Sequence, residues 1–169
     1  YEMVVLAPSS VQELFDYTVK AFNIAEEYRT PVIVMSETTI ALMRENLEIP
    51  EPEEIDIVNR KKPQVPPEDF LPFKAEANSA PPMPEFGEGY HTLYSLNPHN
   101  EKGDINWDPD VFESLYERVT GKISNNVDKI TMVEEYYLDS VDIGLITYGS
   151  EYRPALEAVE QAREDGIDA

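Results

Sequence analysis

The sequence contains no cysteine, so this chain can supply no disulfide, thiolate nucleophile, zinc–thiolate site or cysteine-ligated iron–sulfur cluster. Any redox centre has to sit on another chain. Basic residues are scarce: 13 Lys and Arg stand against 34 Asp and Glu, a net charge of −21. So acidic a surface repels phosphate backbones and anionic lipid, and neither nucleic acid nor membrane is an expected partner. No apolar run approaches the roughly 20 residues that span a bilayer, and no signal-like segment opens the sequence. A cytoplasmic location is the expectation.

Proline is abundant and unevenly placed. Eleven of the fourteen prolines lie between Pro50 and Pro109, which argues for two partial α/β units joined by an irregular bridge. Both ends of the chain read as parts of such units: Tyr1 to Leu6 as a strand, and a strand and helix that close at Gly166-Ile167-Asp168-Ala169. A lone strand lacks ladder partners, so the expectation is an internal piece of a longer polypeptide.

Met3-Val4-Val5-Leu6 is a continuous apolar run of the kind covered on both faces in a parallel sheet. After Pro8, Ser10 and Glu13 match a capping box, and Val11, Leu14, Phe15, Thr18, Val19, Phe22 and Ala25 follow at helical spacing. Pro31 to Met35 is the next expected strand, making a β–α–β crossover, and Thr38 to Asn46 the next helix. From Ile49 to about Asp108 neither helical nor strand periodicity lasts, apart from a brief alternation at Ile55 to Val58 that reads as an edge strand. The aromatics Phe70, Phe73, Phe86, Tyr90, Tyr94 and Trp107 need burial, which favours an ordered extended arm. Asp108-Pro109 then caps a helix with stripe Val111, Phe112, Leu115, Tyr116 and Val119, expected to be perturbed at Gly121. Asp142 to Gly149 reads as a buried strand, and Ser150 opens the last helix.

Candidate sites are few and each has a structural explanation. The N–H groups at Ser10-Val11-Gln12 could hold an anion, although Ser10 and Glu13 already account for them as a cap. Glu37 lies past the C-terminal end of a strand, where open α/β sheets bind ligands, yet an acidic residue there also starts a helix. Arg60-Lys61-Lys62 reads as a solvated charge cluster. Gly87 and Gly89 form G-x-G without the remainder of a dinucleotide fingerprint, and relief of the backbone between Phe86 and Tyr90 explains them. His91 and His99, with Glu88 or Glu101, lack the further ligands a metal requires. The Gly149-Ser150 turn could cradle a phosphate or carboxylate on backbone N–H groups, or be ordinary strand-to-helix geometry.

Taken in order, Val5-Leu6-Ala7-Pro8-Ser9-Ser10-Val11-Gln12-Glu13, Ala21-Phe22-Asn23-Ile24-Ala25-Glu26-Glu27-Tyr28-Arg29-Thr30-Pro31-Val32-Ile33-Val34, Pro81-Pro82-Met83-Pro84 with Phe86-Gly87-Glu88-Gly89-Tyr90, His99-Asn100-Glu101-Lys102-Gly103 and Tyr148-Gly149-Ser150 resemble a stretch of the α subunit of the 2-oxoacid:ferredoxin oxidoreductases, especially the 2-oxoglutarate type. The resemblance implies an α/β fold made of parts of two open, mainly parallel sheets. Residues 1–48 would end a thiamine-enzyme pyrimidine-binding-like domain, 49–139 would be the Pro-rich arm with a helix near 109–120, and 140–169 would start a transketolase C-terminal-like domain. It also implies oxidative decarboxylation of a 2-oxoacid on thiamine diphosphate, with electrons passed through iron–sulfur clusters to ferredoxin and an acyl-CoA released. The implied partners are a β subunit, ferredoxin, the 2-oxoacid and CoA. Thiamine diphosphate, Mg, the iron–sulfur cluster and CoA are expected in the assembled complex, with none bound by this segment alone and no metal site in it. Asn100 stands where the family often has Asp, and no catalytic or cofactor-binding residue carries over. The other reading is a non-catalytic acidic interaction module with an aromatic, Pro-rich arm.

Overall fold

A computed structural model describes residues 2–76, 78–94, 96–139 and 141–169. Tyr1, the first residue of the expected opening strand, and Ser140, the expected domain boundary, lie outside the described residues. The element order is β1 (Val4–Leu6), α1 (Val11–Tyr28), β2 (Val32–Val34), α2 (Thr38–Leu42), α3 (Pro109–Ser124), α4 (Val127–Ile130) and α5 (Tyr152–Glu164), with 3-10 turns at Pro52–Glu54, Pro67–Asp69 and Gly149–Glu151. The class is α/β, and the sheet among the described residues is the pair β1-β2 joined by the α1 crossover.

The chain divides into two compact units: Tyr1–Val4, Phe22–Pro31 and Ile57–Ile130 form one, and Val5–Ala21, Val32–Asp56 and Thr131–Ala169 the other. In the first, the buried apolar residues include Ile24, Tyr28, Phe73, Ala80, Ile123 and Ile130. The proline-rich arm is ordered here through its rings, as its aromatic content predicts. Phe70 meets Tyr90 edge-on at 5.0 Å, and Phe73 packs on Tyr94 at 5.9 Å and on His99 at 3.8 Å between ring centroids. Phe86 and Trp107 depart from that expectation and are 92% and 71% exposed. Ile55 to Val58 forms no strand; the Val58 N–H donates to Asn23 Oδ1 at 2.9 Å instead of to a ladder. Helix α3 begins as expected, with Asp108 accepting from the Asp110 N–H at 3.0 Å and Pro109 at its first position, but it runs through Gly121 to Ser124. One glycine in a helix costs only about 1 kcal/mol, and the capped first turn and the buried Ile123 hold it.

In the second unit, the Met35 N–H donates to Leu6 O at 2.8 Å and extends the strand pairing. The sheet is covered on one face only: Leu6 is buried while Val5 and Ile33 are 47% and 44% exposed. A two-strand sheet with one layer on it leaves alternate side chains open, which corrects the expectation of two covered faces. The buried stripe of α1 also turns. Ala21, Ile24 and Tyr28 are buried while Phe22 is 70% exposed, so the apolar seam drifts around the helix toward its C-terminus. Helix α2 stops at Leu42, short of the expected Asn46.

The largest departure is at Asp142–Gly149, where no strand forms. Ile143 and Leu145 are 54% and 57% exposed and Ile146 is fully so. Extended backbone becomes a strand only when a neighbour supplies ladder partners, and among the described residues the links made here are those of the Asp142 and Ile143 N–H groups to Asp168 O. Gly149 to Glu164 still forms the expected turn and helix.

Candidate functional site: two anion cradles filled by the chain itself

Both strand-to-helix turns singled out in the sequence lie in the second unit, and both hold an anion. In each case the anion is a glutamate of this chain. At the start of α1, Ser10 Oγ accepts from the Glu13 N–H at 3.0 Å, which is the first half of the capping box. The Glu13 carboxylate then reaches one residue further back than the motif predicts, accepting from Ser9 N–H at 2.7 Å and Ser9 Oγ at 2.9 Å. The Val11 N–H, one of the orphan donors every helix start leaves, goes to Glu45 Oε2 at 2.9 Å. Glu45 Oε1 pairs with Arg153 Nη1 at 2.6 Å. The Val11 hydrogen bond first, and Arg153 second, hold the Glu45 carboxyl below the usual carboxylate range.

Glu37 repeats the pattern at the other turn. It occupies the N-cap position of α2 without capping it. Its carboxylate instead accepts from the Ser150 N–H at the Gly149–Ser150 turn, and that bond lowers its carboxyl pKa. Gly149 is buried with φ +64, and a Cβ there would stand 2.5 Å from Glu37 Oε1 and 3.9 Å from Pro8 O. The site therefore requires glycine twice, once for the left-handed backbone and once for the approach of Glu37. The sequence-level alternative of a cap for α2 is replaced by a longer reach that nothing in local spacing could show. Glu45 was missed altogether, because its partners lie 34 residues back and in α5.

Beside Glu37 is a hollow of about 900 Å³ lined by Met35, Glu37, Ile146, Thr147, Tyr148 and Pro154 among others. It sits beyond the C-terminal end of β2, the position where α/β sheets take ligands. Thr147 Oγ1 is buried there without a hydrogen-bond partner among the described residues. Nearby, Tyr136 and Tyr152 both donate to Glu134 Oε2, at 2.6 and 2.9 Å, which lowers the Glu134 carboxyl pKa and raises the Tyr136 phenol. The described lining carries two carboxylates, Glu37 and Glu151, and hydroxyls but no imidazole or cation, so it can shape and hydrogen-bond a ligand without supplying an anion clamp.

The remaining candidates resolve within the first unit. Arg60 and Lys62 pair with Glu26 and Glu85, as a surface charge cluster does. Gly87 and Gly89 have φ of +94 and +85, the backbone relief expected of them. His99 Nδ1 lies 3.0 Å from Asn97 O, and its Nε2 is buried without a partner among the described residues. Among the described residues no group of three or more His, Cys, Asp or Glu is arranged to hold a metal ion. Asn100 serves the backbone, since its Oδ1 accepts from the Lys102 and Asp104 N–H groups, both at 3.0 Å, and closes the turn. An aspartate could accept from the same two N–H groups but could not donate to Asp104 Oδ2, as Asn100 Nδ2 does at 3.2 Å.

Comparison with known proteins supplies the family. The family model described as pyruvate flavodoxin/ferredoxin oxidoreductase, thiamine diphosphate-binding, matches residues 1–117. The chain is 44% identical to 2-oxoglutarate synthase subunit KorA of Methanothermobacter marburgensis over its whole length, covering 45% of that protein. It is 41% identical to the subunit of the same name from Methanocaldococcus jannaschii over 99% of the chain and 44% of the relative. Among solved structures, 2-oxoglutarate:ferredoxin oxidoreductase from Magnetococcus marinus with 2-oxoglutarate, coenzyme A and succinyl-CoA bound superposes with a TM-score of 0.79 at 26% identity, over 98% of this chain and 29% of that one. The chain thus spans about half the length of the curated relatives it matches. The β–α–β crossover with its capped turn, and the family match running from residue 1 into α3, place the chain in the pyruvate flavodoxin/ferredoxin oxidoreductase thiamine-diphosphate-binding family.

Proposed function

We propose that this chain is part of the α subunit of a thiamine-diphosphate-dependent 2-oxoacid:ferredoxin oxidoreductase, acting in the cytoplasm on 2-oxoglutarate or a close analogue. The enzyme would decarboxylate the 2-oxoacid oxidatively, hand electrons to ferredoxin and release an acyl-CoA. The single observation that carries this is the end-to-end 44% identity to a 2-oxoglutarate synthase subunit. An interaction module that had merely kept the scaffold would have no reason to preserve such similarity from end to end.

The two strand-to-helix cradles do not fit the cofactor. Thiamine diphosphate needs donors for its diphosphate and a cation to neutralise it, whereas both N–H cradles on this chain already hold Glu37 and Glu45. No step is therefore assigned to these side chains. Their part is to position: the carboxylates fix the starts of α1 and α5 around the hollow beyond β2. In this reading residues 1–48 close a pyrimidine-binding-like domain, 49–139 are the connecting arm, and 140–169 open a transketolase C-terminal-like domain, with a β subunit, Mg and an iron–sulfur cluster completing the enzyme.

The test is to purify the full-length gene product with its co-encoded subunits and to follow reduction of a viologen dye. Reduction that requires both 2-oxoglutarate and CoA is expected. An intact complex that reduces dye with no 2-oxoacid would refute the reading.

A further inference from the structure

In a chain this acidic every cation has carboxylates to choose from, and Arg60, Lys62 and Arg153 each take one. Among the cations with no ion pair in the described residues are three in the first unit that are at least partly buried. Arg29 follows the last residue of α1 in the left-handed region, φ 46, a conformation that costs a non-glycine residue about 1 kcal/mol. Its backbone O accepts from Lys122 Nζ at 2.9 Å, and its own Nη1 donates to Pro81 O at 3.0 Å. Lys122 is only 9% exposed. Arg118 precedes Lys122 by one turn of α3 and therefore lies on the same face. No ion pair forms to any of the three among the described residues. They act on one another instead: burial, then Arg118 and Arg29, push Lys122 down to about 8, and burial followed by Arg29 lowers Arg118.

Gathering desolvated cations with no carboxylate in ion-pair contact is costly, and the arrangement is relieved by an anion from outside. We propose that Arg29, Arg118 and Lys122 form a binding site for an oxyanion, the carboxylate or phosphate head of a small ligand. Entry is through Arg118, which lines a cavity of about 840 Å³ together with Asn78, His99, Ser114 and Asn125. Glu76, Glu101, Asp110 and Glu117 share that wall, and Glu101 is the one whose charge acts on Arg118. Their field opposes an anion held by Arg118 alone, so the site favours one that also engages Arg29 and the buried Lys122. This inference is independent of the redox reaction proposed above.

The experiment is calorimetric titration of the full-length protein, with its accompanying subunits, against inorganic phosphate and against succinate at constant ionic strength set with chloride. Saturable binding of at least one probe is expected. Binding of phosphate alone assigns a phosphoryl head, of succinate alone a carboxylate head, and of both a site open to either. R118Q removes a guanidinium that forms no ion pair among the described residues and should weaken binding at least tenfold. R60Q removes a paired surface cation and should leave it unchanged. E101Q should tighten binding, an effect of opposite sign that loss of folding cannot mimic. Absence of saturable binding by either probe, or equal weakening by R118Q and R60Q, overturns the proposal.

Discussion

At the scale of single residues, two positions carry consequences that local sequence does not show. Gly149→Ala would impose a left-handed backbone on alanine, costing about 1–2 kcal/mol, and would push its Cβ into Glu37 Oε1. The steric part depends on Glu37, the backbone part does not. The double variant with Glu37→Ala should therefore lose less than the sum of the single losses, which urea unfolding of the four proteins would measure; strict additivity would refute the contact. Lys122 makes a pH prediction. Its folded pKa of about 8 lies below the 10.5 of a free lysine, so between those values the unfolded chain binds more protons and stability rises with pH. The cost is fully present below pH 8. Tyr17, Tyr28 and Tyr136 have raised phenol pKa values and act in the opposite sense above pH 10, which leaves a window from about 8 to 10. With Arg29 and Arg118 as the charges facing Lys122, a gain on the order of 2 kcal/mol is expected across it, and Lys122→Met should flatten the slope. A wild-type stability that falls from pH 8 to 10 would contradict this.

At the scale of elements, what could be read from sequence was what is encoded locally. The start of α1 at Ser10, the Asp108-Pro109 start of α3 and the turn into α5 were legible because caps and helical stripes act over one or two turns. The elements that failed need partners distant in sequence. Asp142–Gly149 has the composition of a central strand but no ladder neighbour among the described residues, and Ile55–Val58 trades its ladder for Asn23. The candidate site behaves likewise. Its cradles were visible, but the carboxylates that fill them come from 34 and 113 residues away. The caps themselves are open to test. Asp108→Ala leaves the Asp110 N–H without its acceptor and should cost about 1 kcal/mol, whereas Asp108→Asn or Asp108→Ser should recover most of it. Chemical denaturation monitored by helical circular dichroism distinguishes the two, and equal losses from all three substitutions would mean that the cap contributes nothing.

At the scale of the whole molecule, the distribution of apolar side chains is the telling property. Few residues are deeply buried, among them Ile24, Ile40, Phe73 and Ile123, while Ile143, Leu145, Ile146, Tyr148, Phe112, Trp107 and Phe86 stand open. Exposed apolar area on this scale marks surfaces that meet other protein, and a chain spanning about half of its relatives' length has further polypeptide available in those relatives to meet it. This gives opposite expectations in two contexts. Ile146 is fully exposed, so Ile146→Lys in the 169-residue chain removes no packing; its stability should stay within about 0.5 kcal/mol of the parent, with less aggregation. In the full-length protein, if Asp142–Gly149 completes its ladder against other polypeptide, the same lysine enters a packed sheet and should cost several kcal/mol, seen as loss of soluble complex and of 2-oxoglutarate-dependent dye reduction together. Full activity and normal assembly of the full-length variant would show that Ile146 faces water in the enzyme as well, and that this segment is a surface loop rather than an unpaired strand.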